Sequence, residues 1–450
     1  METAKTEDFA SSDKRSEPLL TKDGDNSRDD SFYGKDLTMQ QSTRVVFKEF
    51  FPMYLSIALD VSSYVAVAFF VGAYSGENYY LGGVGLGTMT NNFILRSYVL
   101  GFDNSLLTLL SQAYGAKQYE YFGDTVNRAR IFFTSLMLPI LFVLWFTEDI
   151  MIAIGQPEQV AHEAGKFVRV SSFGFLCHLN YDIYRKMLNA IRRSSAYTWF
   201  PYVTCPLSFL GCWFLIVYLD LKAVGGALVI LLNPVLNMLM SMFMVHYFRI
   251  GVNCLKWPDR ESFKGWWELF KLGLPTYLLQ VFSFISTEAV ILLTGYVSTE
   301  ILVANVALIN IYYMVGLFGI SLQIVASALI GNKVGEGSLE GTKNMIRATT
   351  FLFLALTVLC LVVFYMLTWA FTNQEMLMIY PAVCVSLVST SICTLLITIL
   401  IGLGLQKGTM IVNLVSFLIL GIPMSCYLTF YAGWIYYGPW AGLILANLFN

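Results

Sequence analysis

From residue 50 onward the chain alternates long apolar runs with short polar connections. The runs fall at about 50–73, 82–110, 126–147, 161–182, 198–219, 223–247, 269–296, 302–330, 346–371, 376–403, 410–431 and 437–450. Each of the first eleven is as long as the roughly 20 residues a helix needs to cross a bilayer core. The pattern therefore predicts an all-α polytopic membrane protein of twelve helices. The last run has only fourteen residues. It reads either as a helix cut short by the chain's end or as a half-span.

Punctuation within the runs repeats. Pro52-x-Tyr54-Leu55 opens the first run and Pro275-x-Tyr277-Leu278 opens the seventh, each proline followed twenty residues later by a glycine, Gly72 and Gly295. Ser111-Gln-Ala-Tyr-Gly115-Ala-Lys117 after the second run echoes Ser327-Ala-Leu-Ile-Gly331-Asn-Lys333 after the eighth, and Gly225-Gly226-Ala227 corresponds to Gly438-Pro439-Trp440. Matches in the same order imply an internal duplication, two six-helix lobes related by a pseudo-twofold axis, as in many secondary transporters. The division is then a polar tail at 1–44, an N-lobe at 45–247, a charged linker at 248–268 and a C-lobe at 269–450. Trp257, Trp266 and Trp267 in and beside the linker read as interfacial anchors.

Composition sharpens this only in part. The 450 residues are 56% hydrophobic and 13% charged, with a mean hydropathy of +0.62, far beyond what a soluble core requires. The net charge of −2 is uninformative as a sum, but its distribution is not. Lys117, Arg128, Arg130, Arg185, Lys186, Arg192, Arg193, Arg249, Lys256, Arg260, Lys264, Lys271, Lys333, Lys343, Arg347 and Lys407 fall on one set of connections. The other set and its helix ends hold only Lys166, Arg169 and Lys222 as bases, with Glu77, Glu148, Asp149, Glu158, Glu163, Asp220, Glu300 and Glu375. The positive-inside rule then places the N-terminus in the cytoplasm. The tail is too polar to bury a core of its own, and it lacks a signal-peptide apolar core, so the first membrane helix is expected to serve as the insertion signal. Its Glu17-Pro18-Leu19-Leu20 reads as a disordered tail or as an acidic dileucine sorting signal. The destination is thus the plasma membrane or a vacuolar or lysosomal membrane.

The candidate chemistry is the few polar groups inside the runs. Glu288 lies close to the middle of the membrane-length stretch Pro275–Ser298 in the seventh run, where a charge costs roughly 2.5–3.5 kcal/mol on insertion scales and is by default a functional candidate. No base shares its helix near it, so it suits reversible protonation; the plainer reading is a permanently neutral acid bonded to a tyrosine or carbonyl. Around it, Tyr277, Gln280, Ser283 and Thr287 on the same helix and Asn305, Tyr312 and Gln323 on the next form a candidate cavity wall. In the first lobe, Asp60 and Tyr64 share a face with Asn92, Arg96 and Asp103 opposite. An Asp60–Arg96–Asp103 network could line a cavity and couple ions, or simply be a neutralised structural pair. Asn233, Pro234 and Asn237 read as a kink with satisfied amides. The eight cysteines and three histidines show no metal-ligand spacing, so no metal or cofactor is expected. No HExxH, GxSxG or P-loop pattern occurs on any connection, which argues against an enzyme, and nothing suggests a receptor or a nucleic-acid partner. The aromatic and methionine content suits bulky cationic or planar solutes.

Taken with Gly101-Phe-Asp-Asn-Ser-Leu-Leu-Thr-Leu-Leu-Ser-Gln112-Ala-Tyr-Gly115-Ala-Lys117, Tyr184-Arg-Lys-Met-Leu-Asn-Ala190, Gly319 to Gly335 and Gly421-Ile-Pro423, the chain resembles the multidrug and toxic compound extrusion (MATE) family, eukaryotic branch, over about 48–450. The resemblance implies two lobes in a V that alternately open to either side. It further implies a monomer exporting organic cations or amphipathic small molecules against entry of H⁺ or, less favoured, Na⁺. Eukaryotic members carry two glutamates in the seventh helix. Here the second is Glu288 and the first position is Ser283; Val67 stands where many prokaryotic members have a first-helix aspartate. Asp60, in the repeat-equivalent place to Ser283, is expected to substitute in part. The alternatives on the same fold are a lipid-linked flippase and an uncoupled facilitator.

Overall fold

A chain this apolar must satisfy its backbone internally, and among the described residues it does so entirely with helices. The computed structural model describes residues 37–248, 260–367, 374–405 and 411–449; the N-terminal tail with Glu17 to Leu20, and Trp257, lie outside them. The helices are α1 Met39–Tyr74, α2 Asn78–Asn91, α3 Ser97–Gly115, α4 Tyr119–Leu144, α5 Thr147–Ala153, α6 Glu158–Ala190, α7 Phe200–Cys212, α8 Lys222–Tyr247, α9 Trp266–Val297, α10 Thr299–Gly335, α11 Leu339–Leu367 and α12 Gln374–Leu403. A broken helix, α13, follows over Ile411–Tyr431, and α14 spans Gly438–Phe449. The π turn Asn92–Arg96 joins α2 to α3, so the pair runs as one span of 37 residues.

Ten helices among the described residues are long and apolar enough to cross a membrane. With α6 and α14 they account for the twelve expected runs in order. Two of them differ from the sequence reading. The first helix begins at Met39, well before its apolar part, because Thr38 and Gln41 close a capping box that satisfies two otherwise orphaned amides. The fourth, α6, extends to Ala190 rather than ending near 182. Arg185 and Lys186 therefore lie on a buried helix surface, not on a connection.

Polarity is distributed as lipid requires. Phe69, Phe142, Leu210, Phe243, Val358 and Met366 are exposed, while Asp103, Asp182, Lys186, Asn305 and Asn332 are buried. Within the first half of the chain α6 packs on α2, α3 and α8, and α1 on α7; within the second half α10 packs on α11 and α12. The halves meet through α3 against α9 and α10, and α1 against α10 and α11. Tyr54 of α1 stacks on Phe318 of α10 at 3.9 Å between ring centroids, and Phe102 of α3 lies 6.1 Å from Tyr277 of α9.

The two repeated serine–glycine stretches meet each other. A side chain on Gly115 would overlap the Asn332 carbonyl, and one on Gly331 would overlap Ser111. Hydrogen bonds secure the same end: Thr108 Oγ1 donates to the Ile401 carbonyl at 3.0 Å, Gln112 Nε2 to Gly402 O at 3.3 Å and Asn332 Nδ2 to Ala190 O at 3.1 Å. The end of the molecule bearing Lys117 and Lys333 is thereby closed across the halves.

At the opposite end, Glu148 on α5 accepts hydrogen bonds from His162 at 2.7 Å and Arg169 at 2.8 Å. The His162 contact, with Arg169 assisting against the cost of burial, holds this carboxyl below its usual range. A depressed carboxylate stabilises the fold above the unfolded value of about 4.3 and loses that contribution as pH falls through the lower folded value.

Two outcomes follow. Gly331→Val should cost about 1–3 kcal/mol by overpacking and part α3 from α10, read as a lower unfolding temperature and faster thiol labelling of Ser327→Cys. Glu148→Gln should flatten the acid limb of unfolding temperature against pH; an unchanged limb would remove Glu148 from that account.

Candidate functional site

The polar groups inside the bundle fall into three separate sets. The first surrounds Glu288. Pro275 sits inside α9, and the helix continues through to Val297. At 100° per residue, Glu288 shares a stripe with Tyr277, three turns and about 16 Å away. The Tyr277 end of that stripe meets the other half of the chain: it touches α3, whose Gly101 leaves room for the Tyr277 backbone and whose Tyr98 and Phe102 rings lie 6.1 Å from the tyrosine ring. Glu288 is half-buried. Among the described residues it makes no hydrogen bond and no ion pair. Gln280 and Ser283 are half-buried on the same helix, Ser283 with an interaction of its own; the Thr287 side chain lies outside those described.

The second set closes the other side of α9. Asn305, expected on a cavity wall, is instead fully buried. Its Nδ2 donates to Thr294 Oγ1 at 3.2 Å, and its Oδ1 accepts from the Trp440 indole at 2.9 Å. This bracket ties α10 to α9 and α14 within an apolar cluster of Leu308, Phe364, Phe417 and Leu443. A helical wheel assigns Asn305 a face but not what covers it, and α14 covers it. Tyr312 is half-buried with its hydroxyl 2.6 Å from Thr390 Oγ1, which also accepts from Asn447 at 2.8 Å. Gln323 remains half-buried.

The third set is in the first half, and it does not form the expected chain. Among the described residues no ion pair joins Arg96 to Asp60 or Asp103. The Arg96 guanidinium lies over the Tyr64 ring at 5.5 Å, a cation–π contact. Asn92 and Arg96 bound the π turn, whose extra residue changes the register that a regular wheel assumes; the Asn92 carbonyl accepts from Ser97 at 3.2 Å. Asp60 is half-buried, within Coulomb range of Tyr64, Tyr181 and Arg185. Asp103 turns to α6, where it meets Asp182 and Lys186. Those two residues were read as part of a helix end and a connection. The signal that marks them is their spacing: Asp182 with Arg185 at i+3 and His178 at i−4 forms one acid–base face. On α8, the Asn233 amide beside Pro234 donates to Ser208 at 2.9 Å and Ser63 at 3.3 Å, whereas Asn237 Oδ1, expected to be satisfied, is buried with no partner among the described residues.

An apolar shell around enclosed polar sets, with ten helices among the described residues long and apolar enough to span a bilayer, is the build of an integral multi-pass membrane protein. Comparison with known proteins agrees. A family model described as MatE matches residues 52–214. Protein DETOXIFICATION 9 of Arabidopsis thaliana is 25% identical over 82% of this chain and 78% of its own length; DETOXIFICATION 12 of the same plant is 27% identical over 77% and 74%. The crystal structure of the eukaryotic MATE transporter AtDTX14 superposes with a TM-score of 0.84 at 19% identity, covering 91% of this chain and 94% of the other. That of the Vibrio cholerae MATE transporter VcmN in the bent form does so with a TM-score of 0.77 at 16%, over 91% and 95%. The chain is thus similar in sequence to plant DETOXIFICATION proteins and shares the fold of solved MATE transporters.

The Asn305 bracket has a measurable cost of removal. Trp440→Phe leaves Asn305 Oδ1 buried without a donor and should lower stability by about 1–3 kcal/mol, read as thermal unfolding in detergent. Unchanged stability would show that the bracket is not a structural tie.

Proposed function

We propose that the protein is a proton-coupled antiporter of organic cations or similar amphipathic small molecules, working by alternating access. Glu288 is the proton acceptor. The observation that carries this reading is its position: a half-buried carboxyl inside α9, nine residues before the helix end at Val297, without a hydrogen-bond or ion-pair partner among the described residues, on the stripe whose Tyr277 end meets the other half. An unpaired acid at bilayer depth is stable as the neutral form and reachable as the charged one only where water or solute enters. Protonation removes the hydration that an open cleft supplies, so it favours the closed approach of α9 to α3. Loss of the proton favours the open state. A solute that binds one state better than the other is then exchanged for the proton.

The meeting of the two repeated serine–glycine stretches supports two six-helix lobes, 45–247 and 269–450, rocking about that seam. Asp60 serves the first lobe in an accessory role, since Ser283 stands where a second glutamate would be. The excess of basic residues at the closed end supports a cytoplasmic N-terminus, in a plasma or vacuolar–lysosomal membrane. Ser283 also favours one second reading, an uncoupled facilitator or lipid-linked flippase of the same fold.

Uptake of a fluorescent organic cation into proteoliposomes under an imposed pH gradient separates these. The antiporter reading expects gradient-driven uptake, lost in Glu288→Gln and reduced several-fold in Asp60→Asn, with facilitated equilibration retained. Flux in Glu288→Gln equal to wild type supports the facilitator, and uptake driven by a sodium gradient alone replaces the proton.

A further inference from the structure

The α3–α6 interface contains an acid that the Glu288 account does not use. Asp103 is fully buried, and neither of its carboxyl oxygens accepts a hydrogen bond. It lies within hydrogen-bonding reach of the Asp182 carboxyl. Asp182 is itself 3% exposed and already engaged: Arg185 Nη1 donates to its Oδ1 at 2.7 Å, and His178 Nε2 stands 3.4 Å from its Oδ2. Lys186, 4% exposed, lies within Coulomb range of Asp103 without bonding to it. Its Nζ donates to Asn104 Oδ1 at 3.3 Å, and it forms no ion pair among the described residues.

Two ionised carboxylates cannot face each other in a dry interior at modest cost; one of them holds a proton. The other titratable groups on the elements around Asp103 do not change this. Tyr98 on α3 donates to the Phe133 carbonyl at 2.7 Å, and α9 contributes Tyr277. On α4, Arg130 is held over the Tyr184 ring at 4.1 Å; on α10, Lys333 pairs with Glu336 at 2.6 Å. A metal cation in place of the proton would sit against Lys186 and Arg185 and be repelled.

We propose that Asp103 and Asp182 share one exchangeable proton, making a proton site in the first half of the chain separate from Glu288. Asp103 carries the proton and donates it to an Asp182 oxygen, leaving Asp182 as the anion of the Arg185 pair. When the proton leaves to water, Asp103 becomes an anion and draws the Lys186 ammonium from Asn104. That exchange shifts α3 on α6. Because the neighbouring Phe102 fills the space left by Gly273 on α9, and Thr108 bonds Ile401 O, the shift reaches the seam between the halves. The site thus links proton occupancy to closure without involving α1 or Glu288.

Infrared difference spectroscopy on the full-length protein in liposomes tests this. Aspartate labelled with heavy carbon at the side-chain carboxyl shifts the C=O stretch of protonated aspartic acids and leaves that of Glu288 in place. A labelled protonated-acid band is expected at neutral pH, lost on raising pH, absent in Asp103→Asn and retained in Asp60→Asn and in Glu288→Gln. Asn at 103 still donates to Asp182, so this variant should fold; if it does not, Asp103→Glu must move the band out of the aspartate-labelled set. No labelled band at any pH, or one that survives in folded Asp103→Asn or folded Asp103→Glu, overturns the proposal. Loss of the Glu288 band alone would bear only on the antiport reading.

Discussion

A carboxyl group inside a bilayer has three ways to persist: beside a base, in contact with water, or carrying a proton. The structure uses these solutions in different places, and its organisation follows from which is used where. Asp182 takes the first, clasped by Arg185 on its own helix. Asp103, one helix away, accepts no hydrogen bond from a base among the described residues. Glu288 has no basic partner among the described residues, and it lies on the helical stripe whose Tyr277 end meets the other half. An acid with a fixed counter-charge is scaffold. An acid without one makes its surroundings depend on pH and on access.

The packing explains how such dependence could be mechanical rather than local. The halves touch closely at Gly101, Gly115, Gly273 and Gly331, where the missing side chains let backbone or a ring such as Phe102 come in. Such seams are held by shape and a few backbone-directed hydrogen bonds, and they part without unravelling a core. Within the second half the reverse holds. The Asn305–Trp440 bracket and the Leu308–Phe364 cluster bind α9, α10 and α14 into one body. Stiff halves and a soft seam are the mechanical requirements of rocking.

Much of this was legible in the sequence, for reasons that are physical. Bilayer thickness fixes how long an apolar run must be, so all twelve runs could be placed in order. Lipid makes internal charge rare, so Glu288, Asp60 and Asp103 stood out. The partnerships were not legible. A wheel treats α2 and α3 as one regular helix, and the π turn at Asn92–Arg96 breaks that assumption. It also cannot say that Arg96 would lie over Tyr64 or that α14 would cover Asn305. The Arg185 and Lys186 pair was assigned to a connection because hydropathy counts charge as solvent-facing, whereas their partners on α3 and α6 let them be buried. The serine–glycine stretches could be recognised as repeats, but that they touch each other is a fact of three dimensions.

The central claim is that the charge of Glu288 selects the relative arrangement of the two halves. Spin labels at the exposed positions Glu77 and Glu300, one in each half, report it directly through pulsed-electron-resonance distances in liposomes across a pH series. The account expects two distance populations whose ratio titrates in the wild type, with that titration lost or displaced in Glu288→Gln as the variant stays in the protonated-like population. A Glu288→Gln curve superimposable on wild type, in both populations and midpoint, would contradict it.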